Sequence, residues 1–104
     1  MGLTAADKYK ELLESLTNAT KLDKITWFRQ PARDDCYAAR INSYVVFVAP
    51  ARYLQRLFVL RNQEGVDILV LDDEICGQLY QEVRRQVEGT DEAVDEILEY
   101  LKGL

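Results

Sequence analysis

Histidine is absent from this 104-residue chain. That removes the Ser-His and Cys-His nucleophile pairs and the commonest general base near neutral pH. Cysteine occurs only as Cys36 and Cys76, far apart and in no C-x-x-C pair. Two thiolates without histidine supply half of the usual zinc ligand set, so no metal site is expected. Two reduced, buried thiols in a cytoplasmic protein are expected instead. The five glycines are scattered, and none builds a phosphate-cradling loop. No apolar run approaches the roughly 18 residues of a membrane-spanning helix. The start, "MGLTAADKYKELL", lacks a basic segment followed by an apolar stretch, so a secretory signal is not expected. Ala6 stands where myristoylation of Gly2 would need Ser or Thr.

Apolar side chains make up 48% of the residues, enough for one core, and a single α+β domain over residues 1–104 is expected. The net charge of −5 is unevenly spread. Residues 1–61 carry ten Lys/Arg and six Asp/Glu, whereas residues 62–104 carry three and twelve. Such asymmetry marks either a partner surface or a basic half folded against an acidic one.

The first helix is expected to start at Thr4, with Asp7 completing a capping-box variant. Ala5, Tyr9, Leu12, Leu13 and Leu16 repeat at helical spacing, and "TNAT" should fray the helix near Asn18. Ile25 to Arg29 reads as a short strand ended by Pro31. "CYAARINSYVVFVAP" reads as a hairpin turning at Asn42-Ser43, pairing Ile41 with Tyr44, Ala39 with Val46 and Tyr37 with Val48. Those six share one side of the sheet; Cys36, Ala38, Arg40, Val45, Phe47 and Ala49 share the other.

A second hairpin turns at Asn62 to Gly65, where glycine supplies a positive φ. Leu57, Val59, Val66, Ile68 and Val70 are expected on one side. Phe58, Leu60, Leu69 and Leu71 fall on the other, beside Arg56 and Asp67. A helix capped by Asp72 or Asp73 follows, with Ile75, Leu79, Val83 and Val87 in one stripe, widened by Cys76 and Tyr80. At Gly89 the chain is expected to break or kink, with Thr90 capping a last helix whose stripe is Val94, Ile97, Leu98 and Leu101. The expected architecture is α+β: one N-terminal helix, an antiparallel sheet of three to five strands, and two C-terminal helices.

The hairpin residues Ala39, Ile41, Asn42 and Tyr44, with Leu79, Tyr80 and Arg84 of the following helix, resemble the A-x-I-N-G-Y and L-Y-x-x-x-R motifs of a type of small bacterial and phage-borne protein without a described activity. The resemblance spans about Trp27 to Leu101, with Ser43 in place of the turn glycine. It implies this fold and a prokaryotic setting, and it carries no functional residues.

Asp72, Asp73 and Glu74 lack the spacing of a calcium loop and read as helix-capping acids. No catalytic constellation and no cofactor motif is present, so a non-enzymatic protein is expected. The aromatics Trp27, Phe28, Tyr37, Tyr44 and Tyr53 are interleaved with Arg29, Arg33, Arg40, Arg52, Arg56 and Arg61. That pattern keeps a nucleic-acid-binding sheet face as the alternative reading. The stronger signal is surplus apolar surface: two hairpins apolar on both sides need two covers. A protein partner or homodimer is therefore expected, with Tyr37, Tyr44, Phe47 and Phe58 as aromatic anchors and Val94, Ile97 and Leu101 as the apolar line of a helical arm.

Overall fold

The computed structural model describes residues 4–31, 33, 35–50, 56–72 and 74–104. Helix α1 (Ala5–Lys21) precedes strands β1 (Phe28–Arg29), β2 (Tyr37–Ile41), β3 (Tyr44–Pro50), β4 (Arg56–Arg61) and β5 (Asp67–Leu71). Helices α2 (Glu74–Glu88) and α3 (Thr90–Lys102) follow. The five strands form one antiparallel sheet in the order β1-β2-β3-β4-β5, an α+β arrangement.

The Thr4 cap forms as expected: the Asp7 N–H donates to Thr4 Oγ1 at 3.2 Å, and the Thr4 N–H donates to Asp7 Oδ2 at 3.3 Å. Helix α1 does not fray at Asn18. The Thr17 and Thr20 hydroxyls each donate, at 2.7 Å, to the carbonyls of Leu13 and Leu16 one turn back, and both threonines are buried. This back-bonding satisfies polar groups that would otherwise favour leaving the helix. The helix ends at Lys21 with Leu22 as its cap, and Asp23 just beyond has a φ of 54°, the left-handed conformation that glycine more often supplies.

The strand expected from Ile25 to Arg29 is reduced to Phe28–Arg29. A side chain of α2 takes the bonds a longer strand would have used. Gln86 accepts from the Trp27 N–H at 2.9 Å and donates to the Ile25 carbonyl at 2.8 Å.

Asn42 adopts φ 59°, and the turn sets the expected register, with Tyr37 opposite Val48, Ala39 opposite Val46 and Ile41 opposite Tyr44. In the second hairpin Gly65 has φ 80°. The Asn62 side chain accepts from the backbone of Glu64 and Val66, closing the turn. One departure follows: a bulge at Leu60/Arg61 pairs Arg61 with Asp67. The extra residue brings Asp67 to the Arg61 side of the sheet, not to the side of Leu69 where strict alternation places it.

Helices α1 and α2 pack against each other and cover one side of the sheet. Leu13 and Leu16 of α1, Cys76, Leu79, Tyr80 and Val83 of α2, and Tyr37, Ala39, Val46, Val48 and Phe58 of the sheet form the core. Tyr80 meets Tyr37 edge-on, with centroids 5.8 Å apart, a favoured geometry for ring quadrupoles. The Trp27 indole donates to Thr20 Oγ1 at 3.0 Å, so this buried N–H is paired. Cys36 and Cys76 are both buried and are not joined by a disulfide. Of the two expected α2 caps, Asp73 lies outside the described residues.

Candidate interaction surface

Among the described residues, two apolar surfaces are left without a cover. The first is α3. Gly89, at φ 66° and ψ 38°, separates it from α2, so the break expected there is present. Thr90 is not the cap: it is the first helical residue, and Gly89 occupies the cap position without a side-chain bond. The new helix leaves the body at the left-handed residue, and none of its residues is buried. Val94, Ile97, Leu98 and Leu101, the expected stripe, are all about half exposed or more, and Tyr100 is more exposed still. The longest dimension of the molecule is 58 Å against 36 and 30 Å. The radius of gyration is 15.7 Å, where a compact chain of this size has about 13 Å.

Ion pairs span the junction between α2 and the arm. Arg85 donates to Glu82 and to Asp91, each at 3.0 Å, bridging α2 to the first turn of α3. These partners raise the Arg85 pKa, Glu82 contributing most. Just before the break, Glu88 accepts from the Tyr37 hydroxyl at 2.7 Å and from the Arg29 guanidinium. Its carboxyl is held below the ordinary glutamate value, first by Tyr37 and then by Arg29. Burial, followed by the bond to Glu88, pushes the Tyr37 phenol up.

The second surface is the sheet side opposite the helices. Phe28, Ala38, Phe47, Val59 and Val70 align across the five strands. Ala38 is fully buried between Phe28 and Phe47, its cross-strand neighbours, so the row is continuous. Phe28, Ile68 and Val70 are about half exposed. The Arg61 guanidinium lies 4.5 Å from the Phe47 ring centroid and pairs with Asp67 at 2.7 Å. A shallow depression of about 340 Å³ lies between Cys36, Phe47, Ala49 and Leu57, rimmed by Arg33 and Arg61. Burial raises the Cys36 thiol pKa.

The expected anchors divide. Tyr37 and Phe58 are fully buried in the core and unavailable to a partner. The reason is the choice of covered side: α1 and α2 close over Tyr37 and Phe58, leaving Phe47 outside. Tyr44 lies at the hairpin end, on the helix-covered side, partly exposed. Phe47 is on the open face, and Val94, Ile97 and Leu101 are on the arm. Phe28, Val59, Ile68 and Val70 join this surface. Their signal in the sequence was the strand alternation, which does not say which side the helices take. Of the aromatics interleaved with arginine, Trp27 and Tyr37 are buried and Tyr53 lies outside the described residues. Phe28 and Phe47 therefore stand as the open-face aromatics among the described residues.

No family model, no curated protein and no solved structure matches the chain. Among the described residues, no helix is long and apolar enough to cross a membrane.

Proposed function

We propose that this protein is a non-enzymatic interaction or regulatory domain that binds protein through its uncovered apolar surfaces, and that one such partner is a second copy of itself. The observation that carries the reading is α3: a helix with a continuous apolar stripe and no buried residue. Such a stripe costs solvation free energy in a monomer, at about 25 cal/mol per Å² of apolar surface, and gains it back on contact. The open sheet face supplies a second surface of the same kind, and its half-exposed Phe28 offers an aromatic anchor of the type that dominates interface energetics.

Light scattering coupled to size exclusion at low micromolar concentration tests the reading. The expected result is a species of twice the 12.0 kDa chain mass. A single species at the chain mass overturns self-association. A parallel titration with single-stranded and duplex oligonucleotides is expected to give no salt-dependent binding; a steep salt dependence would instead favour phosphate contacts from the open-face arginines.

A further inference from the structure

The geometry points to a reciprocal dimer in which α3 of each copy lies across the open sheet face of the other. This rests on the self-association proposed above and specifies which surface meets which.

Charge selects the pairing. Helix α3 carries Asp91, Glu92, Asp95, Glu96 and Glu99 against the single Lys102. The open face carries Arg40 and Arg61, with Arg33 on the rim of its depression, against Asp67. Pairing α3 with α3 brings two acidic helices together, and pairing face with face brings two arginine-bearing surfaces together. Only arm on face joins opposite signs, and like-charge juxtaposition disfavours the other two arrangements.

Size is consistent with the same pairing. The 13 residues of α3 make a rod about 20 Å long, at 1.5 Å per residue. Five strands about 4.8 Å apart make a sheet about 19 Å wide, so the helix spans the face. A helix of that length and about 10 Å diameter buries on the order of 400 Å² of its own surface in a shallow groove and a like area of the groove. With one arm and one face from each copy, the burial reaches about 800 Å² per partner, the standard size for a stable interface. The depression between Phe47 and Leu57 lies on this path and has room for a bulky aliphatic side chain of the arriving stripe. The same arm cannot take that position on its own body, because α2, from which it extends, packs on the opposite side of the sheet. A two-fold axis makes both contacts identical and leaves no unpaired arm to extend the assembly.

Complementation between two variants tests the arrangement. Ile97→Asp places a charge in the arm stripe, and Val70→Asp places one on the face; both positions are more than half exposed. Each variant alone alters both contacts of its homodimer, and each is expected to run as a monomer, with a dissociation constant raised at least about tenfold. Mixed in equal amounts, they are expected to recover a dimer-mass species, because one unaltered arm meets one unaltered face. Circular dichroism checks that both variants fold, and Phe28→Ser replaces Val70→Asp if the latter does not.

A wild-type dimer that Val70→Asp leaves intact while Ile97→Asp abolishes it means arm-to-arm contact, and overturns the inference. The opposite pattern means face-to-face contact, and overturns it equally. Failure of the mixture to recover the dimer has the same consequence while leaving self-association standing. A wild-type chain that is monomeric overturns both.

Discussion

The Glu88 carboxylate accepts a hydrogen bond from the buried Tyr37 hydroxyl at 2.7 Å, joining the last residue of α2 to the second strand of the sheet. Arg29 of β1 pairs with the same carboxylate. The bond fixes the base from which the arm departs, since Gly89 follows immediately.

This contact predicts an acid limb in stability. The folded Glu88 carboxyl titrates below its reference value of 4.5. Its contribution is complete above that reference value and is lost as pH falls through the lower folded value, because the unfolded chain then binds the proton first. Glu88→Gln should flatten this part of the curve. Urea midpoints of both proteins across the acid range measure it; parallel curves would show that the carboxylate contributes nothing.

Thr20 has a double role, donating to Leu16 O and accepting from the Trp27 indole. Thr20→Val keeps the shape and removes both bonds, leaving a buried indole N–H without its acceptor. The expected loss is about 1–3 kcal/mol of unfolding free energy. Thr20→Ser, which keeps the hydroxyl, should lose less of the bond energy, and denaturant titration followed by Trp27 fluorescence ranks the two.

Gly89 is left-handed, and a Cβ there would meet nothing closer than Glu92 Oε2 at 3.8 Å. The penalty for alanine is therefore backbone strain, on the order of 1 kcal/mol. Asparagine tolerates that conformation and should cost less. If Gly89→Ala proved as stable as the parent, the chain would have escaped the strain by straightening α2 into α3, which a longer scattering-derived maximum dimension would reveal.

Leu79 and Leu101 provide a paired test of core against arm. Leu79 is fully buried and Leu101 is 54% exposed. Leu79→Ala should cost about 2–5 kcal/mol. Leu101→Ala should stay within about 0.5 kcal/mol when measured below the concentration at which copies associate. An equal loss at both positions would mean that α3 packs within its own chain.

Short-range chemistry made much of this fold legible. The Thr4–Asp7 box, the Asn42 turn with its register and the glycine break at residue 89 each depend on neighbours a few residues away. What escaped the sequence depended on distant partners. Gln86 shortens β1 from across the fold, and Trp27 gives Thr20 a buried acceptor role inside a stretch of poor helix formers. The bulge at Leu60/Arg61 moves Asp67 to Arg61, which strict alternation cannot foresee. The choice of covered face was equally hidden, because both sides of the hairpins are apolar. Tyr37 and Phe58 consequently read as anchors although they belong to the core, whereas Phe28, Phe47 and Val70 are among the residues on the open face.

The strand order, in which every strand pairs with its chain neighbour, has a kinetic corollary. Short loops close at little entropic cost, so both hairpins can nucleate locally. Docking of α1 on α2 is different, since it must bring the two ends of the chain together. Pulsed hydrogen exchange should therefore find the amides around Val46 and Phe58 protected early, with those of α1 trailing. Simultaneous protection would point instead to a nucleus that already includes the N-terminal helix.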